Sequence, residues 1–234
     1  MEKKRTGSVG IRVFAFATIL AAMLLVAAAS GAMAADEEDA QGIVDKARVA
    51  FGGFLRDDNY SWMRDHMKDA KGVLIYPQVL KAGYILGGSG GTGVLLARDG
   101  KTGEWSNPAF YTMGSVSFGL QIGGESAAVV LLVMSQKGMD SLLASKFKLG
   151  GDASVALGPV GGGAKSDITA DFLSFSKSQG LYAGINLDGS YVSVRDSLNK
   201  AYYGKDVSPV DIIVKQSVGN KGAIPLREEL KKAK

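Results

Sequence analysis

Apolar positions recur at two distinct periods along this chain. From Gln41 to Arg56 the residues Ile43, Val44, Ala47, Phe51, Phe54 and Leu55 fall at helical spacing, with Asp45, Lys46, Arg48 and Arg56 between them. That pattern predicts an amphipathic helix. Asp57-Asp58-Asn59 stops it and caps a second, shorter helix through Tyr60, Met63 and Met67 that ends near Lys71-Gly72. Beyond Gly72 the period shortens to runs of β-branched, aromatic and aliphatic residues bounded by glycine. Strands are predicted over Val73–Tyr76, Gly83–Leu86, Gly93–Arg98, Ala109–Phe118, Ala128–Met134, Lys148–Leu157, Ser166–Phe175, Leu181–Leu187 and Tyr191–Val194. Asp99-Gly100 and Asp188-Gly189 are hairpin-type turn signals. Lys137–Ser145, Arg195–Tyr203 and Pro225–Lys232 read as helices and Val210–Lys215 as extended chain.

Closely spaced strands joined by turns, with no βαβ alternation, predict an α+β fold. Its body is a predominantly antiparallel sheet, barrel- or sandwich-like, with an N-terminal helix pair and a few short helices.

The N-terminus is patterned differently again. Lys3, Lys4, Arg5 and Arg12 precede an apolar run over Val13–Ala29, and Ala32-Met33-Ala34 supplies small residues for cleavage. This is the order of a secretory signal peptide, so residues 1–34 are expected to be removed and the protein to be periplasmic or secreted. A retained anchor is the alternative, although the run is at the short limit for crossing a bilayer. Residues 35–234 are expected to form a single domain, with 205–234 a C-terminal extension packing on it.

Charge changes the picture only after that step. The whole chain carries 27 Lys and Arg against 23 Asp and Glu. Residues 1–34 account for four of the basic and one of the acidic residues, so the net charge of +4 falls to +1. The case for a nucleic-acid partner built on overall basicity is thereby lost. With no cysteine, disulfides, thiol catalysis and Cys-zinc sites are excluded, and the single histidine leaves little for metal binding.

Three glycine-rich motif matches fail on context. Gly88-Ser89-Gly90-Gly91-Thr92-Gly93 has dinucleotide-loop spacing, but the following Val94–Arg98 reads as strand where a helix is required, so these glycines are expected to permit a bulge or close backbone approach. Ser89 in Gly87–Gly91 resembles a nucleophile elbow, yet the only histidine, His66, lies upstream of it. Gly158–Ser166 approaches a phosphate loop with Lys165 one position late. The chain is read as non-enzymatic, with no cofactor and no metal.

A set of segments in order carries a resemblance. They include Ala70-Lys71-Gly72-Val73-Leu74-Ile75-Tyr76-Pro77, Ala82–Gly88, Trp105-Ser106-Asn107-Pro108-Ala109-Phe110, Gly119–Glu125, Ser154–Gly161, Ser176–Gly184 and Tyr202-Tyr203-Gly204. Together they resemble the SYLF, or Ysc84-like, family from about Ile43 to Gly204. The resemblance implies a lipid-binding domain without catalytic chemistry, which in eukaryotic relatives recognises phosphoinositides and in some cases actin. No SH3 or FYVE module lies in these residues, and the actin role is not carried over. Gly162 and Ser126-Ala127-Ala128 depart from the family pattern at positions that bear on headgroup preference.

In the eukaryotic relatives an amphipathic helix at the start of the domain engages membranes, and Gln41–Arg56 stands in that place. Lys46, Arg48, Phe51, Phe54, Leu55 and Arg56 are therefore the expected lipid-binding set, since an interfacial helix gives apolar residues to the acyl boundary and cations to anionic headgroups. The same stripe could instead pack against the sheet. Glu125, in a strand-rich region, needs partners if buried. Arg98 or Arg195 could supply one, as a structural ion pair or as the lining of a polar pocket. The expected partner is an anionic lipid or membrane surface, alternatively an envelope protein, and the sequence leaves the oligomeric state open.

Overall fold

The computed structural model describes residues 36–83, 86–118, 123–161, 169–178 and 187–233. A helix over residues 36–55 (α1) is followed by a single 3-10 turn at Asp58–Tyr60 and by α2 (Ser61–His66). Asp57 begins this second segment as expected, its side chain accepting from the Asn59 amide. Four long strands come next: β1 (Gly72–Gly83), β2 (Leu86–Ala97), β3 (Ala109–Phe118) and β4 (Gly123–Val133). Then follow α3 (Gln136–Leu143), β5 (Lys146–Lys148), β6 (Val155–Leu157), β7 (Phe172–Ser178), β8 (Tyr191–Val194) and α4 (Asp196–Tyr203). A π-helical turn (Val210–Val214) and α5 (Ile224–Leu230) complete the described chain.

Among the described residues eight strands form one curled, half-barrel sheet in the order β5-β8-β3-β2-β1-β4-β7-β6, antiparallel except for the β6–β7 pair. The α+β class read from the pattern is the observed one.

Alternation along the strands splits the core into two layers. Val73, Ile75, Val94, Leu96, Val130, Leu132, Leu173 and Phe175 face one side, where α1, α2, α4 and α5 cover them. Leu74, Tyr76, Leu95, Tyr111, Val129, Leu131, Val133 and Phe172 face the other, under Met139 and Leu142 of α3, Phe147 of β5 and Ile212 and Ile213 of the π-turn. Because both faces are covered here, Val73–Tyr76 and Val129–Val133 are continuous apolar runs rather than alternating ones. Buried hydroxyl and amide groups fasten the covering elements. Tyr60 donates to the Ser176 carbonyl at 2.6 Å, Tyr111 to that of Leu142 at 2.5 Å, and Asn199 accepts from the Phe110 amide at 2.9 Å.

Several predicted elements differ. Lys148–Leu157 is two short strands, because Gly150 adopts φ 77° and the Lys148 amide donates to Asp152 at 2.7 Å, turning the chain. Val210–Lys215 is a π-turn, not extended. Pro209 precedes it, the Ser208 amide and hydroxyl donate to Asp211, and the Lys215 amide closes on the Val210 carbonyl at 2.9 Å, so local capping overrides the β propensity of Val-Ile-Ile-Val. The strand expected from Ser166 begins at Phe172, and residues 166–168 lie outside the described residues, as do Tyr84 and Ile85 and all of Leu181–Leu187 except Leu187. The Asp99-Gly100 turn stands, with Arg98 bridged to Trp105.

The glycine-rich stretch is part of β2 from Leu86 onward, so neither a dinucleotide loop nor a nucleophile elbow exists there. Gly93 makes the expected close approach: a Cβ on it would collide with the Ile75 carbonyl oxygen and come within 2.6 Å of the Tyr76 ring.

Candidate functional site

The apolar stripe of α1 is spent on the core. Phe51 and Phe54 are fully buried, Leu55 packs against the same cluster, and the Phe54 ring meets Tyr60 edge-on at 4.7 Å. Phe51 and Phe54 are therefore core residues rather than bilayer contacts, and half-buried Leu55 packs on the same cluster, because the sheet face beneath α1 takes up the stripe that a bilayer would otherwise bury. Of the cations, Lys46 and Arg56 are exposed, whereas Arg48 is half-buried with its Nε sealed from solvent and unpaired.

The proposed polar pocket is not assembled. Arg98 lies past the end of β2 and donates to the Lys68 carbonyl at 2.9 Å. Glu125 sits near the opposite end of the sheet, across β4–β1 from Lys81. Gly72, which starts β1, pairs with Ala97, so the two are about nine strand residues apart, roughly 30 Å. Arg195 precedes α4, exposed, its backbone tied to Phe110. Neither of the rejected catalytic residues is set for chemistry. The Ser89 hydroxyl is bonded across the β2–β3 pair to Ser115 at 2.7 Å, and His66 stacks on Trp62 at 3.7 Å and donates from Nδ1 to the Trp62 carbonyl.

What the fold builds instead is a cleft of about 720 Å³ between the outer flank of α1 and the sheet. Lys46, Val49, Ala50 and Gly53 line it from the helix, Pro77 and Gln78 from β1, Ala127 and Ala128 from β4, and Lys177 from β7. Pro77 explains its position. Proline has no amide hydrogen to give the ladder, and the register of β1 slips against β4 between Tyr76 and Val79 and against β2 between Ile75 and Leu80. The bulge leaves Gln78 reaching across to the Ser126 hydroxyl at 3.1 Å.

Two ammonium groups flank the apolar walls. Lys177 is held by the Asp57 carboxylate at 2.7 Å and the Gly53 carbonyl at 3.4 Å, and its hydrogen bond is the main cause of the Asp57 carboxyl lying below the usual aspartate range. Lys46 makes no hydrogen bond or ion pair among the described residues, and Asp45 beside it accepts from Gln41. The volume lies within the roughly 300–1,000 Å³ of small-molecule sites. The Asp45 carboxylate also lines the cleft and Lys177 is paired with Asp57, so the walls suit a ligand with an apolar body and a polar head that engages Lys46.

Of the site residues singled out from the sequence, only Lys46 and Phe54 border this cleft. Two signals stood in the chain: Val49, a valine on the polar side of α1 that proves 61% exposed, and Pro77 inside a strand pattern.

A sequence profile described as "Ysc84: Las17-binding protein actin regulator" matches residues 114–233, just over half of the chain. The chain belongs to the Ysc84 family. It is similar to an SH3 domain-containing protein of Schizosaccharomyces pombe, at 34% identity over 68% of this chain and 38% of that protein. It is also similar to Protein YSC84 of Saccharomyces cerevisiae, at 36% over 59% and 31%, and to SH3 domain-containing YSC84-like protein 1 of Rattus norvegicus, at 32% over 62% and 43%. The chain thus spans less than half the length of these relatives. No solved structure matches it. The Ysc84 description is of a binding and regulatory role, not an enzymatic one.

Proposed function

We propose that this chain is a non-catalytic binding domain of the cell envelope, whose ligand is an anionic phospholipid or similar amphiphile held with its apolar portion in the α1 cleft. The cleft carries the reading: apolar side chains from Val49, Ala50, Pro77 and Ala128 stand beside the Lys46 ammonium, which has no partner among the described residues. The N-terminal pattern of residues 1–34 supports export to a compartment where such ligands are abundant. A second reading is a protein-interaction module. It is favoured by the relatives' own names, which include LAS seventeen-binding protein 3.

Native mass spectrometry of the protein isolated from the envelope of cells expressing the full chain tests this, together with co-sedimentation on phosphatidylglycerol–phosphatidylcholine and pure phosphatidylcholine vesicles. A co-purifying lipid and preference for the anionic vesicles are expected. Ala50→Trp, which fills the cleft from the helix side, should strip the bound lipid while leaving the thermal midpoint near wild type. Absence of bound lipid combined with no binding to either vesicle sinks the lipid reading, and a stoichiometric protein partner captured by cross-linking would then favour the second.

A further inference from the structure

Cross-strand register defines a second feature on the same side of the sheet as the cleft. Directly paired residues share a face, so the printed pairs trace rows across the strands. One row runs Lys148, Tyr191, Gly114, Gly90, Leu80, Ser126, from the β5 edge to β4. The next row toward the strand ends runs Val116, Gly88, Ala82, Gly124. The row on the helix side begins with Lys146 and Ser193.

These rows continue the face that α1 covers farther along the strands, where Phe110, Val94, Ile75 and Val130 stand in line. Beyond the helix the face lies open among the described residues: Val116 is 77% exposed, Leu80 55% and Tyr191 47%. Glycine, alanine and serine keep it flat between those projections. Its charges are of one sign. Lys146 and Lys148 stand at the β5 margin with their ammonium groups 4.3 and 5.8 Å from the Tyr191 ring, and no carboxylate occurs in the traced rows. Lys81 and Glu125, paired with each other, alternate onto the opposite face.

An isolated exposed valine or leucine is unremarkable, but two apolar projections and an amphipathic tyrosine on flat rows that hold no carboxylate among the described residues and are bordered by lysines match an anionic interface. We infer that this half of the sheet face, centred on Leu80, Val116 and Tyr191, is the surface that seats the protein on an anionic lipid bilayer. The inference rests on the lipid reading above and deepens it. The cleft shares Ser126 and Ala128 with this side of β4, so a lipid leaving a bilayer pressed against Leu80 and Val116 meets the cleft mouth directly. The bilayer contact is thereby assigned to strands, and α1 becomes the wall of the cleft.

The chain has no cysteine, so Val116→Cys carries a unique environment-sensitive fluorophore, with Lys101→Cys, in the turn at the far end of β2, as its control. Vesicles of equal parts phosphatidylglycerol and phosphatidylcholine should raise emission at position 116 several-fold and leave position 101 unchanged. Lys146→Ala with Lys148→Ala should weaken partitioning about five-fold per lysine. Both side chains are exposed, so the thermal midpoint should hold. If the labelled protein co-sediments with the vesicles and position 116 stays dark, the face is wrong and the lipid reading survives. If emission at 116 is already high in buffer and shielded from iodide, the chain or a second copy covers the face and the inference fails. If neither labelled nor unlabelled protein sediments with any vesicle, the parent reading itself has failed.

Discussion

Truncating Phe51 to alanine separates a core helix from an interfacial one. The ring is fully buried in the layer that α1 shares with Tyr60, Val130, Leu173 and Phe175. Moving a phenylalanine side chain out of such a site forfeits about 1.5–3 kcal/mol of transfer free energy. The void left by the ring, about 100 Å³, adds about 2.4 kcal/mol at roughly 24 cal/mol per Å³ if the surroundings do not collapse. Collapse is restricted, because α1 is held from below by the sheet and at its C-terminal end by the Lys177 bonds to Asp57 and to the Gly53 carbonyl. A loss of about 4 kcal/mol is expected, which for a domain of this size lowers Tm by about 8–16 °C. Val49→Ala, on the exposed side of the same helix, should change stability by no more than about 0.5 kcal/mol. Thermal unfolding followed by circular dichroism, with vesicle co-sedimentation run well below the midpoint, reads both quantities. The reasoning is refuted if Phe51→Ala shifts Tm by less than about 2 °C while abolishing lipid binding, since that would place the ring in the bilayer.

Gly93→Ala should destabilise beyond the usual range for an exposed strand glycine, because its Cβ would strike the Ile75 carbonyl, a backbone atom in β1 that cannot swing aside; urea unfolding with a midpoint near wild type would contradict the observed β1–β2 spacing. Asp171 accepts from the Ser135 hydroxyl and from the Ser154 amide and hydroxyl at 2.8 Å, which hold its carboxyl below the ordinary aspartate value of 3.8. A depressed native pKa stabilises above the unfolded value and is lost as pH falls through the native one. The stability gap between wild type and Asp171→Asn should therefore be constant at neutral pH and close in acid; a gap that widens on acidification, measured by denaturation at stepped pH, would rule out this role.

The periodicities settled the elements. The 3.6 spacing from Ile43 to Leu55 made α1 legible, and runs such as Val73–Tyr76 and Val129–Val133 made the strands legible, because local pattern and final environment agree there. Where they disagreed the reading slipped. Val210–Val214 has strand composition, yet hydrogen bonds from Ser208 to Asp211 cap it into a turn. The destination of the α1 stripe was beyond any local pattern, since a bilayer and a sheet offer Phe51 and Phe54 the same apolar surroundings. The candidate site was beyond it for a different reason: Lys46, Pro77, Ala128 and Lys177 are scattered over more than half the chain and meet only because β1 bulges at Pro77 and pairs with β4, which in turn pairs with β7. The sequence by itself determined most of the segments that become helix or strand and, having no cysteine, the absence of thiol and disulfide chemistry. Tertiary register alone decided which side chains share a face, and with it where a cleft opens and which half of the sheet face is exposed among the described residues.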